Sequence, residues 1–401
     1  MTHGDGWGRA VDLDDIGGQV AICGIGESSY SRASGRTATE IALDAATRAI
    51  EDAGLEPSDI DGLTWSQFAP ALTAEIFHDH FGTSHELFSD QDCGAATGAA
   101  HAPYVAARAI ADGRAKYVLN SHAVAWATER EQMVGGPGES YLGFVEKLNL
   151  ELPFGFFPQP VYFAAIARRH MIEFGTTPEQ LGRIAVVSRR HANLTPGAVM
   201  HDRPLDLAGY LGSPMIADPL HQMDCCLISD GGAAFITTSR DRARDRPNAP
   251  VVVAGVGEGT SDYGLHLVEQ DPFTSTPQVY AAPAAFEMAG ITPDDVDVVT
   301  IYDPFTIVAL MQLEDMGFCA KGEGGAFVEG DTLAYDGGRL PYNPHGGLLS
   351  HAYVLGIAHV VELVKQLRGV AAAQVADCSV GVYGGYAVWD SGTLVLTRED
   401  A

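Results

Sequence analysis

The alternation of apolar and polar positions divides most of the chain into strands and helices that follow one another in turn. Gln19 to Ile25 (QVAICGI) is an apolar run of strand length, followed by a Ser/Arg/Gly loop. Thr37 to Gly54 has apolar residues at helical spacing (Ile41, Ala45, Ile50), with Thr37 as cap, Glu40 three residues on, and Gly54 as stop. A second strand over Gly62 to Trp65 completes a βαβ unit, which predicts a parallel sheet. Ala95 to Gly113 reads as a helix so rich in Ala and Gly that neighbours can approach it from all sides, as burial between two sheets requires. A strand over Lys116 to Ala125 follows. Between Ala127 and Met223 the rhythm gives way to Gly/Pro-rich and aromatic segments (GGPGES, LELPFGFFPQPVYF) and a basic helix around Ala165 to His170. This predicts an insertion that caps a site. Strands over Asp230 to Ser239 and Val251 to Val256 then resume the plan. A helix around Val279 to Ala289, a strand over Asp297 to Tyr302, a helix over Thr306 to Met316 and a long helix over Leu349 to Leu367 come next. Strands over Cys378 to Val382 and Thr393 to Thr397 close the chain.

Two of these connections repeat. AGLEPSDIDGLTWS at Ala53 to Ser66 returns as AGITPDDVDVVTIY at Ala289 to Tyr302, at a constant offset of 236 residues. Ala53/Ala289, Gly54/Gly290, Pro57/Pro293, Asp59/Asp295, Asp61/Asp297 and Thr64/Thr300 recur in register, each copy after a helical pattern and before a strand. A duplicated α/β half accounts for this.

Composition narrows the function classes. A chain of 401 residues, 46% hydrophobic, can bury a large core. With 24 basic against 52 acidic residues its formal charge is −28, which repels nucleic acid and anionic membrane surfaces. The N-terminus has no basic start or apolar stretch, and no run approaches the roughly 18 apolar residues of a membrane span. Six cysteines are scattered without CxxC pairs, so neither a zinc site nor a disulfide framework is expected. Together these predict a soluble cytoplasmic protein with no metal.

The candidate chemistry gathers near the C-terminus. Asn343 to Gly356 (NPHGGLLSHAYVLG) combines an Asn-Pro start, a glycine pair and an apolar run, the pattern of a tight turn delivering a helix into the core. His345 is placed at that turn and Tyr353 on the first helical turns.

That stretch resembles the C-terminal motif NPxGGLISxGHPLGATG of thiolases of the sterol-carrier-protein type. Three more segments fit in order: PLHQMDCCLISDGGAAF resembles PLxxxDCCxxxDGAAA, VDVVTIYDPFT resembles IDVIELHDCFT, and GVYGGY resembles the terminal GIGG loop. The resemblance implies a thiolase-like α/β fold, a duplicated five-layered αβαβα sandwich with a cap/loop insertion, assembled as a homodimer. Residues 1–126 with 224–248 would form the N-terminal half, 127–223 the cap, and 249–401 the C-terminal half.

The departures from those motifs bear on function. The family's two catalytic histidines fall on Tyr302 and Tyr353. Cys93 is the candidate for its nucleophilic cysteine, although counting along the helix puts that slot nearer Ala96. Two tyrosines in place of two histidines resemble the lipid-transfer-protein-type aldolases of bacterial steroid degradation. This resemblance implies retro-aldol cleavage of a bulky, steroidal β-hydroxyacyl-CoA through a thioester enolate, with Tyr302 and Tyr353 as the acid/base pair. Asp303 would orient Tyr302 or a water, and backbone amides near Gly384 and Gly385, with His345, would hold the thioester oxygen. No cofactor is bound permanently, CoA entering as part of the substrate, and a small OB-fold/zinc-ribbon partner is expected. Arg168, Arg169, Arg183, Arg189 and Arg190 form the only basic grouping in the cap, either for the CoA phosphates or as a solvated helix face. Two other readings follow from the same residues: an acetyl-CoA acetyltransferase or related acyltransferase using Cys93, and a non-catalytic acyl-CoA-binding subunit.

Overall fold

A computed structural model describes residues 6–67, 70–93, 95–129, 149, 151–156, 159–263 and 270–400. Twelve strands occur among them: β1 (Gly8–Ala10), β2 (Val20–Glu27), β3 (Gly62–Thr64), β4 (Phe88–Asp90), β5 (Tyr117–Ala125), β6 (Met215–Ala217), β7 (Leu220–His221), β8 (Asp230–Ser239), β9 (Val251–Ser261), β10 (Val298–Ile301), β11 (Val380–Tyr386) and β12 (Asp390–Arg398). The principal helices are α1 (Ala38–Asp52), α2 (Ala74–Phe81), α3 (Ala95–Ala111), α4 (Gln159–Phe174), α5 (Pro178–Ala192), α6 (Gln278–Ala289), α7 (Thr306–Asp315) and α8 (Ile357–Arg368).

The strand order is β10-β11-β12-β9-β2-β8-β5-β3-β4, with β1 added on β9. The centre of this path is the short antiparallel contact of β2 with β9, Ala21 opposite Val252 and Ile22 opposite Val251. Outward from it the two sides read alike. One runs β2, β8, β5, β3, β4; the other runs β9, β12, β11, β10, and Tyr342 bridges Val299 in parallel where a fifth strand would fall.

The residues of the sequence repeat do the same work in each copy. Gly54 and Gly290 take φ of 62° and 69° after their helices, and 3-10 turns follow at Pro57–Asp59 and Pro293–Asp295. The Asp59 and Asp295 carboxylates accept the N–H of Glu56 and Thr292, both at 2.8 Å. Asp61 accepts the N–H of Lys116 and Tyr117 at 2.7 and 2.9 Å, and Asp297 those of Ser379 and Val380 at 2.8 and 2.9 Å. Each carboxylate therefore fixes the start of the neighbouring strand, β5 in one copy and β11 in the other.

The sheet is mixed, which corrects the expectation of a parallel one. β3 runs parallel to β4 and β5, but β8 and β12 return antiparallel and separate the first strand of each half from the second. The α1 crossover thus spans two strands that the chain supplies only later. Helix α1, held by the Thr37/Glu40 capping box, packs on β2, β5 and β8, and α6 packs on β9 and β12. Helices α3 and α8 touch each other and strands of both halves, so they form the layer between. The buried alanines of α3 (Ala96, Ala99, Ala100, Ala102, Ala106, Ala107, Ala109) allow that close approach.

In the expected cap, α4 and α5 pack on α7, and α5 also reaches the helical turn Gly347–Ser350. The GGPGES stretch lies outside the described residues. Most of the basic grouping is neutralised locally: Arg168 pairs with Asp218 at 2.5 Å, Arg169 with Glu173 at 2.5 Å and Arg190 with Asp336 at 2.7 Å. Those three therefore behave as a solvated helix face.

Candidate active site

The site begins where β10 ends. The N–H of Tyr302 donates to the Gly384 carbonyl at 2.8 Å, and its own carbonyl accepts from Gln312 Nε2 at 2.8 Å. One residue earlier, the Asn343 amide replaces a missing strand neighbour: Oδ1 accepts the N–H of Ile301 at 2.8 Å and Nδ2 donates to its carbonyl at 3.0 Å. Asn343 takes φ of 41°, a left-handed conformation that asparagine tolerates better than most residues. Gly347 then turns at φ 61°, where a Cβ would lie 2.2 Å from Asp303 Oδ2. Asp303, fully buried, accepts the Leu348 N–H at 2.7 Å, and His359 Nε2 stands 3.4 Å from the same oxygen.

The expected long helix from Leu349 to Leu367 is broken in two. A helical turn at Gly347–Ser350 is followed by an irregular segment through Gly356, with Leu355 at φ 59°, and α8 starts at Ile357. A side chain on Gly356 would meet the Tyr383 hydroxyl at 2.0 Å, so this close pass needs a glycine. Tyr353 therefore sits in the break rather than on a helical turn, its N–H donating to Ser229 Oγ at 2.8 Å.

The two tyrosines converge. Their hydroxyl oxygens are 3.0 Å apart, within hydrogen-bonding distance, and the residues are only 8% and 4% exposed. The Trp126 ring packs on Tyr353 with centroids 4.6 Å apart. A hydroxyl pair held this way, largely out of water, can pass a proton from one oxygen to the other and stabilise whichever is deprotonated.

Cys93 belongs to the same core cluster as the two tyrosines, but its surroundings do not favour a thiolate. Its Sγ lies 3.5 Å from Asp90 Oδ1, and burial together with the Asp90 charge pushes the thiol well above its ordinary range. The helix turn facing Gly385 presents Ala96 instead, whose carbonyl accepts the Tyr383 hydroxyl at 2.5 Å.

Gly384 and Gly385 lie within β11 rather than in a loop, Gly384 opposite both Ile301 and Thr393, and Gly385 opposite Gly392. Their lack of side chains has a packing reason. A Cβ on Gly385 would fall 2.3 Å from the Ala96 carbonyl oxygen, and one on Gly384 would fall 2.8 Å from Met316 Sδ.

His345 is buried against His351 and His359, with ring centroids 5.0 and 4.8 Å apart. Neither of its nitrogens has a hydrogen-bond partner among the described residues. Burial, then the neighbouring imidazoles, holds it well below the ordinary histidine range, and His351 is pushed down to about 4 by burial. The His345 and His351 rings are therefore neutral at pH 7, and each carries one N–H to donate.

Sequence reasoning passed over Trp126, Ser229, Gln312, His351 and His359. His351 stood inside the quoted motif and His359 three residues beyond its end, so both could have been found there. Ser229 likewise stood inside the quoted PLHQMDCCLISDGGAAF segment, whereas Trp126 and Gln312 come from segments that no local pattern marks.

Among known families, the chain matches the Thiolase C-terminal domain-like model over residues 259–398. A Thermomonospora curvata protein named steroid side-chain-cleaving aldolase is 37% identical over 389 residues, 94% of this chain and 98% of that one. A Mycobacterium tuberculosis protein named 17-hydroxy-3-oxo-4-pregnene-20-carboxyl-CoA lyase is 35% identical over 393 residues, 95% of this chain and all of that one. The solved structure of an Ltp2-ChsH2(DUF35) aldolase superposes with a TM-score of 0.86 at 33% identity, over 97% of this chain and 100% of that chain.

Proposed function

This chain belongs to the thiolase-fold family of steroid side-chain-cleaving aldolases, and from that premise we propose that Tyr302 and Tyr353 move the protons in its retro-aldol cleavage of a steroid side-chain β-hydroxyacyl-CoA. The β-hydroxyl gives its proton to one tyrosinate oxygen. As the C–O bond becomes a carbonyl, the bond between the α- and β-carbons breaks and its electron pair passes to the thioester as an enolate. The enolate then takes a proton at the α-carbon. The products are a shorter acyl-CoA and a ketone or aldehyde, with no net proton change and no oxidant. One proton leaves an oxygen and one arrives at a carbon, so a coupled hydroxyl pair suffices.

The observation that carries this assignment is the 3.0 Å contact between the two buried hydroxyls. The reaction needs one tyrosine as its tyrosinate base. In this reading the second hydroxyl, donating to the tyrosinate, favours that. Asp303 acts as a positioning residue, because its bond to Leu348 ties the Tyr302 strand end to the turn that leads to Tyr353. His345, neutral and able to donate, is assigned to the thioester oxygen together with backbone amides near Gly384 and Gly385.

We further assign the chain to a homodimer, with halves at 1–126 plus 224–248 and at 249–401, a cap at 127–223, and a cytoplasmic location. A small partner of the OB-fold/zinc-ribbon kind is expected, since the relative of known structure carries a DUF35 component in its name. The test is kinetic. Tyr302→Phe and Tyr353→Phe remove only the hydroxyls and should each lower kcat by about 10²- to 10⁴-fold, with substrate binding kept. Full activity in either variant would refute the role of that tyrosine.

A further inference from the structure

The cap contains a buried cation with no carboxylate partner among the described residues. Arg189 of α5 is buried, and its guanidinium donates from Nε to Ser350 Oγ at 3.0 Å, from Nη1 to the Arg203 carbonyl at 2.9 Å and from Nη2 to the Met223 sulfur at 3.8 Å. Other cations drawn into the fold each meet an acid: Lys321 meets Glu314 and Asp315, Lys365 meets Glu27, and Arg368 meets Asp52. Among the described residues Arg32 has only the Met200 sulfur, at 3.5 Å, and Arg203 makes no ion pair. The Asp202 carboxylate next to it stands 3.9 Å from His201 Nε2. Burial, then the positive fields of Arg203 and Arg32, pushes Arg189 down to about 10. A chain with a formal charge of −28 thus holds three like charges together, two of them on weak sulfur acceptors. An uncompensated buried charge is costly, and a multivalent anion would relieve it.

We propose that Arg189, Arg203 and Arg32 form the site for the phosphate groups of the CoA thioester, an inference that rests on the acyl-CoA reading above. Guanidinium groups suit phosphate because they donate in pairs. The position also fits. The N–H groups of Val199 and Met200 bond the carbonyls of His351 and Ser350 at 2.8 and 3.2 Å, so the segment that carries Arg203 is tied to the one that carries Tyr353, while Arg189 and Arg32 reach these two segments through Ser350 Oγ and the Met200 sulfur. Ser350 and Tyr353 are three residues apart, at most about 11 Å of chain. The phosphates of CoA are set off from its thioester by the pantetheine arm, so they need a site beside the tyrosine pair rather than in it.

The test measures CoA binding by calorimetry on the protein with any partner that co-purifies. Arg203→Ala and Arg32→Ala are used because both side chains are exposed and neither holds the fold, whereas Arg189 does. Each should weaken CoA binding about tenfold, or about 1.4 kcal/mol, with pantetheine binding unchanged. A loss that persists with dephospho-CoA places the diphosphate on the arginines, and a loss that disappears places the 3′-phosphate there. Unchanged CoA affinity in the double variant would overturn the assignment. So would an equal loss for pantetheine, or inorganic phosphate that binds without competing with CoA. Failure of the aldolase reading is a distinct outcome: CoA would bind normally and no thioester would be cleaved.

Discussion

Asn343→Ala tests whether the motif that opens at Asn343 holds the tyrosine in place. The Asn343 side chain is the hydrogen-bond partner of both backbone groups of Ile301, at 2.8 and 3.0 Å, and is fully buried. Alanine would leave a buried N–H and a buried carbonyl unsatisfied, at about 1–3 kcal/mol each. It would also have to adopt φ of 41° without asparagine's tolerance, at about 1 kcal/mol. Destabilisation of about 3–7 kcal/mol is expected, read from urea unfolding at constant m. Because Tyr302 is the next residue along the chain, kcat should fall as well. Asn343→Asp keeps the acceptor but loses the donor, and adds a carboxylate where a Gly347 Cβ would touch both Asn343 Nδ2 and Asp303. It should be destabilised too, and more at pH 8 than at pH 5. An Asn343→Ala protein within 1 kcal/mol of the original would refute the reasoning.

Two further perturbations follow from the same structure. Cys93→Ala should retain full cleavage activity with a stability loss of about 1 kcal/mol, since a small buried group is removed; loss of turnover in a folded variant would restore the cysteine to the chemistry. Stability should also fall on acidification. His122, His191 and His351 are each pushed down to about 4 by burial, so the unfolded chain binds their protons first, near pH 6.5. Their contribution is complete above pH 6.5 and lost as pH falls through 4. Glu362, pushed up to about 7 by burial, works in the opposite sense between about pH 4.5 and 7. From pH 7 to pH 5 the histidines win, with a net loss of about 3 kcal/mol. Glu362→Gln should steepen that fall, and a urea midpoint that is flat or rises toward pH 5 would contradict the sign.

Much of this was legible in the chain itself. The repeated Asp61/Asp297 positions could be seen as a duplication because each must meet the same strand start in its own half. The Thr37 cap and the alanine-rich α3 could be read because capping and close packing leave local signatures. The break at Tyr353 could not, since it depends on a left-handed Leu355 and on a glycine pressed against Tyr383, a residue far along the chain. The placement of Gly384 and Gly385 inside β11 was hidden for a similar reason: their glycine requirement comes from Ala96 and Met316, not from a loop of their own. The sheet's antiparallel returns depend on β8 and β12, which enter late. Arg189 stood in the basic grouping, but only the fold separates it from neighbours that have found carboxylates.

The most direct test of the retro-aldol account is mass spectrometry of the protein, with any co-purifying partner, after incubation with short and steroidal β-hydroxyacyl-CoA thioesters. The same samples report released products and any mass added to the chain. The account predicts a shorter acyl-CoA and a ketone or aldehyde, an unmodified protein, and no product from the Tyr302→Phe/Tyr353→Phe double variant. An acyl adduct on Cys93, or undiminished product from the double variant, would contradict it.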